Sequence, residues 1–170
     1  MTPIPFDVND AKLRESFLRE TMREAIAALT ENSLPLWGDM TPQQMIEHLV
    51  WAFRCSTGVL DLLCYTPGSI LERTRRFLYD KRHTPHELKN PAIGEKLPSL
   101  QFSTLTEARE GLLREIGHYF KYSQTDPYAQ HVHPIFGPLG AEEWQRAHFK
   151  HCYHHLLQFG LIEEDTTATA

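Results

Sequence analysis

The sequence predicts an all-α protein, most simply a four-helix bundle with one long connection between its second and third main helices. Three observations lead there. Four long segments carry apolar residues at the three- and four-residue spacing of a helix face. Most of them open at a capping residue or close at glycine or proline. No stretch shows the strict alternation of a half-buried strand.

The first segment is "NDAKLRESFLRETMREAIAALT" (9–30), with Asn9 or Asp10 as cap. Leu13, Phe17, Met22, Ile26 and Leu29 form its apolar stripe, opposite Arg and Glu. After the turn "ENSLPLWGDM", a second helix should start at "TPQQ". Thr41 caps, Pro42 suits the first helical position, and Gln44 completes a capping box. It is expected to run through "MIEHLVWAFRCSTGVLDLL" (45–63) until Pro67 and Gly68 break it, with "SILERTRRFLYD" adding a shorter helix. Residues 81–103 carry three prolines and little periodicity. A connection this long is uncommon in a compact domain and is expected to be a functional cover. The third helix opens at "TLTE" (104–107) and ends near Ser123. The Pro- and Gly-rich "QTDPYAQHVHPIFGPLG" then leads to the fourth, "AEEWQRAHFKHCYHHLLQF", which Gly160 stops.

With 170 residues, 41% apolar and 23% charged, the chain suits a single globular domain, here 1–163, followed by a flexible tail over 164–170. No stretch approaches the roughly 20 apolar residues of a membrane span. The N-terminus lacks the basic start and apolar run of a signal peptide, so a cytoplasmic location is expected. Three cysteines without a CxxC pair suit a reducing compartment. A net charge of −5 with no basic stripe argues against nucleic-acid binding.

Chemistry concentrates in the histidines. "HFKHCYHHLLQFG" (148–160) holds four of the ten. On a helix, Trp144, His148, His151, His155 and Gln158 share one stripe, with His154 beside it and Tyr153 pointing away. A pair four residues apart, His151 and His155, can offer two imidazole nitrogens to one ion. His48 lies mid-stripe on the second helix, with Ala52, Cys55, Val59 and Leu62, and should point into the bundle as a third ligand. A lone core histidine satisfied by hydrogen bonds is the competing reading of each. The pattern is not HExxH, since position 152 is Cys and the built-in general base is missing.

The stretch "HPIFGPLGAEEWQRAHFKHCYHHLLQFG" (133–160) resembles the DinB/YfiT-like superfamily, in particular a branch with an HPxFG…HxxHHLxQFG motif. "WGDMTPQQMIEHL" (37–49) is similar to that family's entry into its first metal-bearing helix. The resemblance implies a four-helix bundle, commonly a homodimer, with a divalent metal, nickel or zinc, held by His48, His151 and His155. It further implies a metal-dependent enzyme acting on a small molecule, such as a transferase of low-molecular-weight thiols or a hydrolase. Gln158, His154 and His133 match the motif as supports or pocket residues, and His148, one turn before it, is a further candidate of that kind. His133 is expected either at the mouth of the site or fixing its turn. His154 is read as an interhelical hydrogen-bonding residue, and His148 as an exposed residue that extends the stripe.

Three neutral imidazoles would leave a dication's charge uncompensated, so a bound water or thiol would be acidified. No carboxylate is clearly placed as general base. Cys55 and Cys152 read as core packing, and His83, His86, His118 and His131 as surface residues. The alternative reading of function is a non-catalytic metal- or ligand-binding stress-response bundle.

Overall fold

The computed structural model describes residues 3–86, 88–93 and 98–165. The chain is mostly helical. Its first predicted helix forms in three parts: α1 (Ala11–Ser16), a π-helical turn (Phe17–Thr21) and α2 (Met22–Ala27). Asp10, not Asn9, is the cap, accepting from the Lys12 and Leu13 amides at 3.0 Å. The wider π turn rotates the stripe so that Phe17 and Leu18 both enter the core. Leu13 stays half-buried, and Arg14 is buried instead, its guanidinium donating to the Val8 carbonyl at 2.6 Å.

α3 (Pro42–Ser56) opens with the predicted capping box of Thr41 and Gln44. It stops at Ser56, well short of Leu63. The Ser56 and Thr57 hydroxyls donate to last-turn carbonyls, Ser56 to Phe53 at 2.7 Å and Thr57 to Arg54 at 3.3 Å. Gly58 then turns at φ +73°, and the Val59 amide returns to the Arg54 carbonyl at 3.1 Å. The apolar run 59–63 that suggested more helix is therefore not helical. α4 (Gly68–Arg75), a 3-10 turn (Arg76–Leu78), α5 (Leu105–Thr125) and α6 (Ala141–Gln158) follow.

One feature was not predicted at all. The connector before α6 folds into a small antiparallel hairpin, β1 (His131–His133) and β2 (Gly137–Leu139), with His133 opposite Gly137. Three-residue strands are too short to show alternation in sequence.

α3 packs along α5 and α6, and the α1–α2 helix packs against the same two. The core between them includes Phe17, Met22, Met45, Leu49, Phe53, Leu112, Phe149 and Leu156. α6 is covered on both sides. Tyr153, facing away from the histidine stripe, is fully buried because the N-terminal segment crosses there. Its hydroxyl donates to the Ile4 carbonyl at 2.8 Å, and Phe6 packs edge-on against its ring. The first residues of the expected tail are docked at the same place: the Phe6 amide donates to the Asp165 carboxylate at 3.2 Å. Residues 166–170 lie outside the described residues. Among the described residues, no helix is long and apolar enough to cross a membrane.

Candidate metal centre

His48 projects from the middle of α3, and His151 and His155 project from consecutive turns of α6. Their Nε2 atoms converge: His48 lies 2.8 Å from His151, and His155 lies 3.1 Å from His151. One nitrogen from each ring falls within 4.8 Å of the others, close enough to hold a metal ion. Tetrahedral ligands at ~2.0–2.1 Å from a zinc ion stand about 3.3 Å apart, a spacing near the two separations seen here.

The protonation states suit that role. Burial pushes all three imidazoles below the ordinary histidine range, His48 to about 4, with neighbouring imidazoles adding to the effect. Neutral rings carry the lone pairs that a cation needs. For His155 the protein also selects the tautomer. The Gln158 carboxamide nitrogen donates to the Trp37 carbonyl at 2.9 Å, so its oxygen must face His155 Nδ1, 2.8 Å away, and accept that proton. The lone pair of His155 is thereby left on Nε2, facing the cluster. His48 lacks such a support, since its Nδ1 is buried without a hydrogen-bond partner among the described residues.

The brace behind His155 comes from the segment before α3. The Leu36 amide donates to the Gln158 carbonyl at 2.7 Å, and Gly38 turns at φ +74° beside it. A Cβ on Gly38 would stand 3.0 Å from the Gln158 side-chain nitrogen. "WGDM" and "HHLLQFG", far apart in sequence, are thus halves of one support.

The centre borders a cavity of about 780 Å³. Trp37, Phe77, Ile135 and Phe136 supply apolar wall, and Asp39, Lys150, His133 and Asn90 supply polar wall. Described residues of the 81–103 connection, including Thr84, His86 and Asn90, line the same space.

The other candidate histidines separate into distinct roles. His154 approaches the Thr84 carbonyl at 3.2 Å, so it holds the cover segment and not another helix. His148 is not exposed, as expected from sequence, but 1% accessible. It stacks on Phe53 with centroids 3.8 Å apart, and its Nε2 lies 2.8 Å from the Ser56 hydroxyl. Because that hydroxyl already donates to Phe53, His148 is the donor. His133 both fixes its turn and reaches the cavity wall.

Of the four histidines expected at the surface, His118 is exposed. His86 is exposed but stacks on Trp37 at 3.8 Å. His83 stacks on Phe6 at 4.0 Å, and His131 meets the Tyr122 hydroxyl at 2.9 Å, so both are half-buried. Cys55 and Cys152 are buried and free, and burial raises both thiols, Cys55 to about 12, as packing residues require.

Sequence reasoning missed Lys150, Trp37 and Asp39. The Lys150 ammonium is buried beside Asp80 (3.2 Å) and the Arg82 carbonyl (2.6 Å), and it lies over the Phe77 ring. Burial lowers its pKa to about 8 against the raising effect of Asp80. A single lysine in a helix otherwise rich in histidine gave no periodic signal. Trp37 and Asp39 did lie in a quoted motif, but only the folded chain brings them to the cavity. No protein-family model matches the chain, and no curated protein or solved structure matches it either.

Proposed function

We propose that the chain is a metal-dependent enzyme of the DinB/YfiT-like kind, a four-helix bundle that holds a divalent ion, zinc or nickel, on His48, His151 and His155. The observation that carries this reading is the convergence of three neutral Nε2 atoms, one with its tautomer set by Gln158, at the wall of a 780 Å³ cavity. When bound, the ion supplies Lewis acidity to a water or thiol that shares its coordination sphere.

The protein's own groups set the rest of the chemistry. Burial keeps the three ligands neutral. Gln158 orients His155, and the cavity has the size of a small-molecule site. A low-molecular-weight thiol is the leading substrate class, with transfer or hydrolysis as the reaction. Asp39 and Lys150 are candidate acid–base groups among those on the cavity wall, and Asp39 is the more available of the two because Lys150 is committed to Asp80 and Arg82. A non-catalytic, closed metal site is less well supported, because the cluster borders an accessible cavity with no fourth His, Cys, Asp or Glu ligand grouped with it among the described residues. A cytoplasmic homodimer is part of the same proposal, and light scattering gives its oligomeric state.

Elemental analysis of untagged protein tests the metal. About one divalent ion per chain is expected, and its loss in the His151→Ala, His155→Ala double variant. Substoichiometric metal unchanged by that variant would sink the reading. Screening the loaded protein against thiols and electrophiles then tests the reaction class.

A further inference from the structure

The "HPIFG" turn has a second use. His133 Nδ1 accepts from two backbone amides, Ile135 at 3.0 Å and Phe136 at 3.3 Å. Pro134, between His133 and Ile135, has no N–H to offer and presets its own φ. Both amides are obligatory donors, so Nδ1 must keep its lone pair, and the ring proton is confined to Nε2. Protonating Nδ1 would set an N–H against two others. Burial independently drives the pKa down to about 3. The ring is held in place by Phe136 and Trp144, with centroids at 4.6 Å and 5.0 Å. Nε2 makes no hydrogen bond among the described residues, yet it is not one of the sealed, partnerless atoms. His133 lines the 780 Å³ cavity with His48, His151 and His155, and shares a smaller pocket of about 30 Å³ with His148 and His151.

A neutral imidazole whose N–H is fixed and open to a cavity is a donor in want of an acceptor. We infer that His133 binds the substrate: its Nε2–H donates to a carboxylate or carbonyl oxygen of the molecule held at the three-histidine centre. The inference rests on the metal reading. It adds that the substrate carries an oxygen acceptor besides the atom directed at the metal. Neutrality matters here, because the residue offers a hydrogen bond without a positive charge that would repel a nearby dication.

The test uses cobalt(II)-loaded full-length protein and two probes, mercaptoacetate and ethanethiol, titrated by the cobalt absorption spectrum. His133→Asn keeps an acceptor for the two backbone amides, as an Asx turn does, and removes the reaching N–H. The variant should bind mercaptoacetate about tenfold more weakly, the worth of a hydrogen bond to a charged group, with ethanethiol affinity and cobalt content unchanged. Equal changes for both probes, no change for either, or a loaded wild-type centre that binds neither, overturns the inference and leaves the metal standing. A wild-type protein that takes up no cobalt overturns the metal reading and the inference with it. Long-range proton–nitrogen NMR of the wild type needs no variant to fold: the proton must be on Nε2 of His133, and a proton on Nδ1 overturns the proposal.

Discussion

The carboxamide oxygen of Gln158 lies 2.8 Å from Nδ1 of His155, one helical turn away, while its nitrogen is spent on the Trp37 carbonyl. The amide cannot flip without setting N–H against N–H and oxygen against oxygen. An uncharged side chain thus decides which nitrogen of a neighbouring imidazole is available.

Gln158→Leu should therefore weaken metal binding by about 10- to 100-fold without removing a ligand. Competition with a chromophoric chelator measures this directly. Unchanged affinity would mean that the Gln158–His155 pair serves packing alone.

The buried histidines make the metal-free fold acid-sensitive. His48, His133, His148, His151 and His155 all have folded pKa values below the ordinary 6.5, with His48 near 4 and His133 near 3. Between those values and 6.5 the unfolded chain binds more protons than the native one, so stability rises with pH across that window. The melting temperature of the apoprotein should fall steadily as pH drops from about 6.5 toward 4. Bound metal should survive below pH 6.5, because the ligands resist protonation. A flat melting curve over this range would contradict the burial argument.

His148→Ala separates packing from ligation. The ring fills a slot between Phe53, Trp144 and Tyr119, so truncation should cost about 2–4 kcal/mol in urea unfolding, as for other large core deletions. Metal stoichiometry should be unchanged. Loss of the ion in a folded variant would show that His148 does more than pack.

Lys150→Met tests the anchor of the cover segment. Asp80 keeps its contact to Arg82, but the Arg82 carbonyl loses its ammonium donor. A charge-assisted hydrogen bond contributes about 1.5–3 kcal/mol, so proteolysis through local opening near residues 81–93 should be at least tenfold faster. Limited proteolysis read by mass spectrometry gives the rate.

Helix placement was largely legible, because caps and apolar spacing are local properties. Thr41, Gln44 and Gly160 act where the pattern put them. The end of α3 was not, since Ser56, Thr57 and Gly58 compete with an apolar run whose helical period continues past them. The hairpin at 131–139 was invisible for want of length. Position 148 misled because it begins the dense histidine stretch and looks like an exposed turn, whereas Phe53 and Ser56 of α3 enclose it.

By itself the sequence determined that this is a helical protein and that His48, His151 and His155 share inward faces, because a helix's period assigns faces without reference to other segments. The tertiary structure decided the rest: that the three nitrogens meet, that Gln158 and Trp37 select a tautomer, that His133 lines the same cavity with its Nδ1 tied to two backbone amides, and that Lys150 holds the Arg82 carbonyl. Each depends on a distance between residues far apart in the chain. Such distances are set by how the helices pack and not by any local pattern.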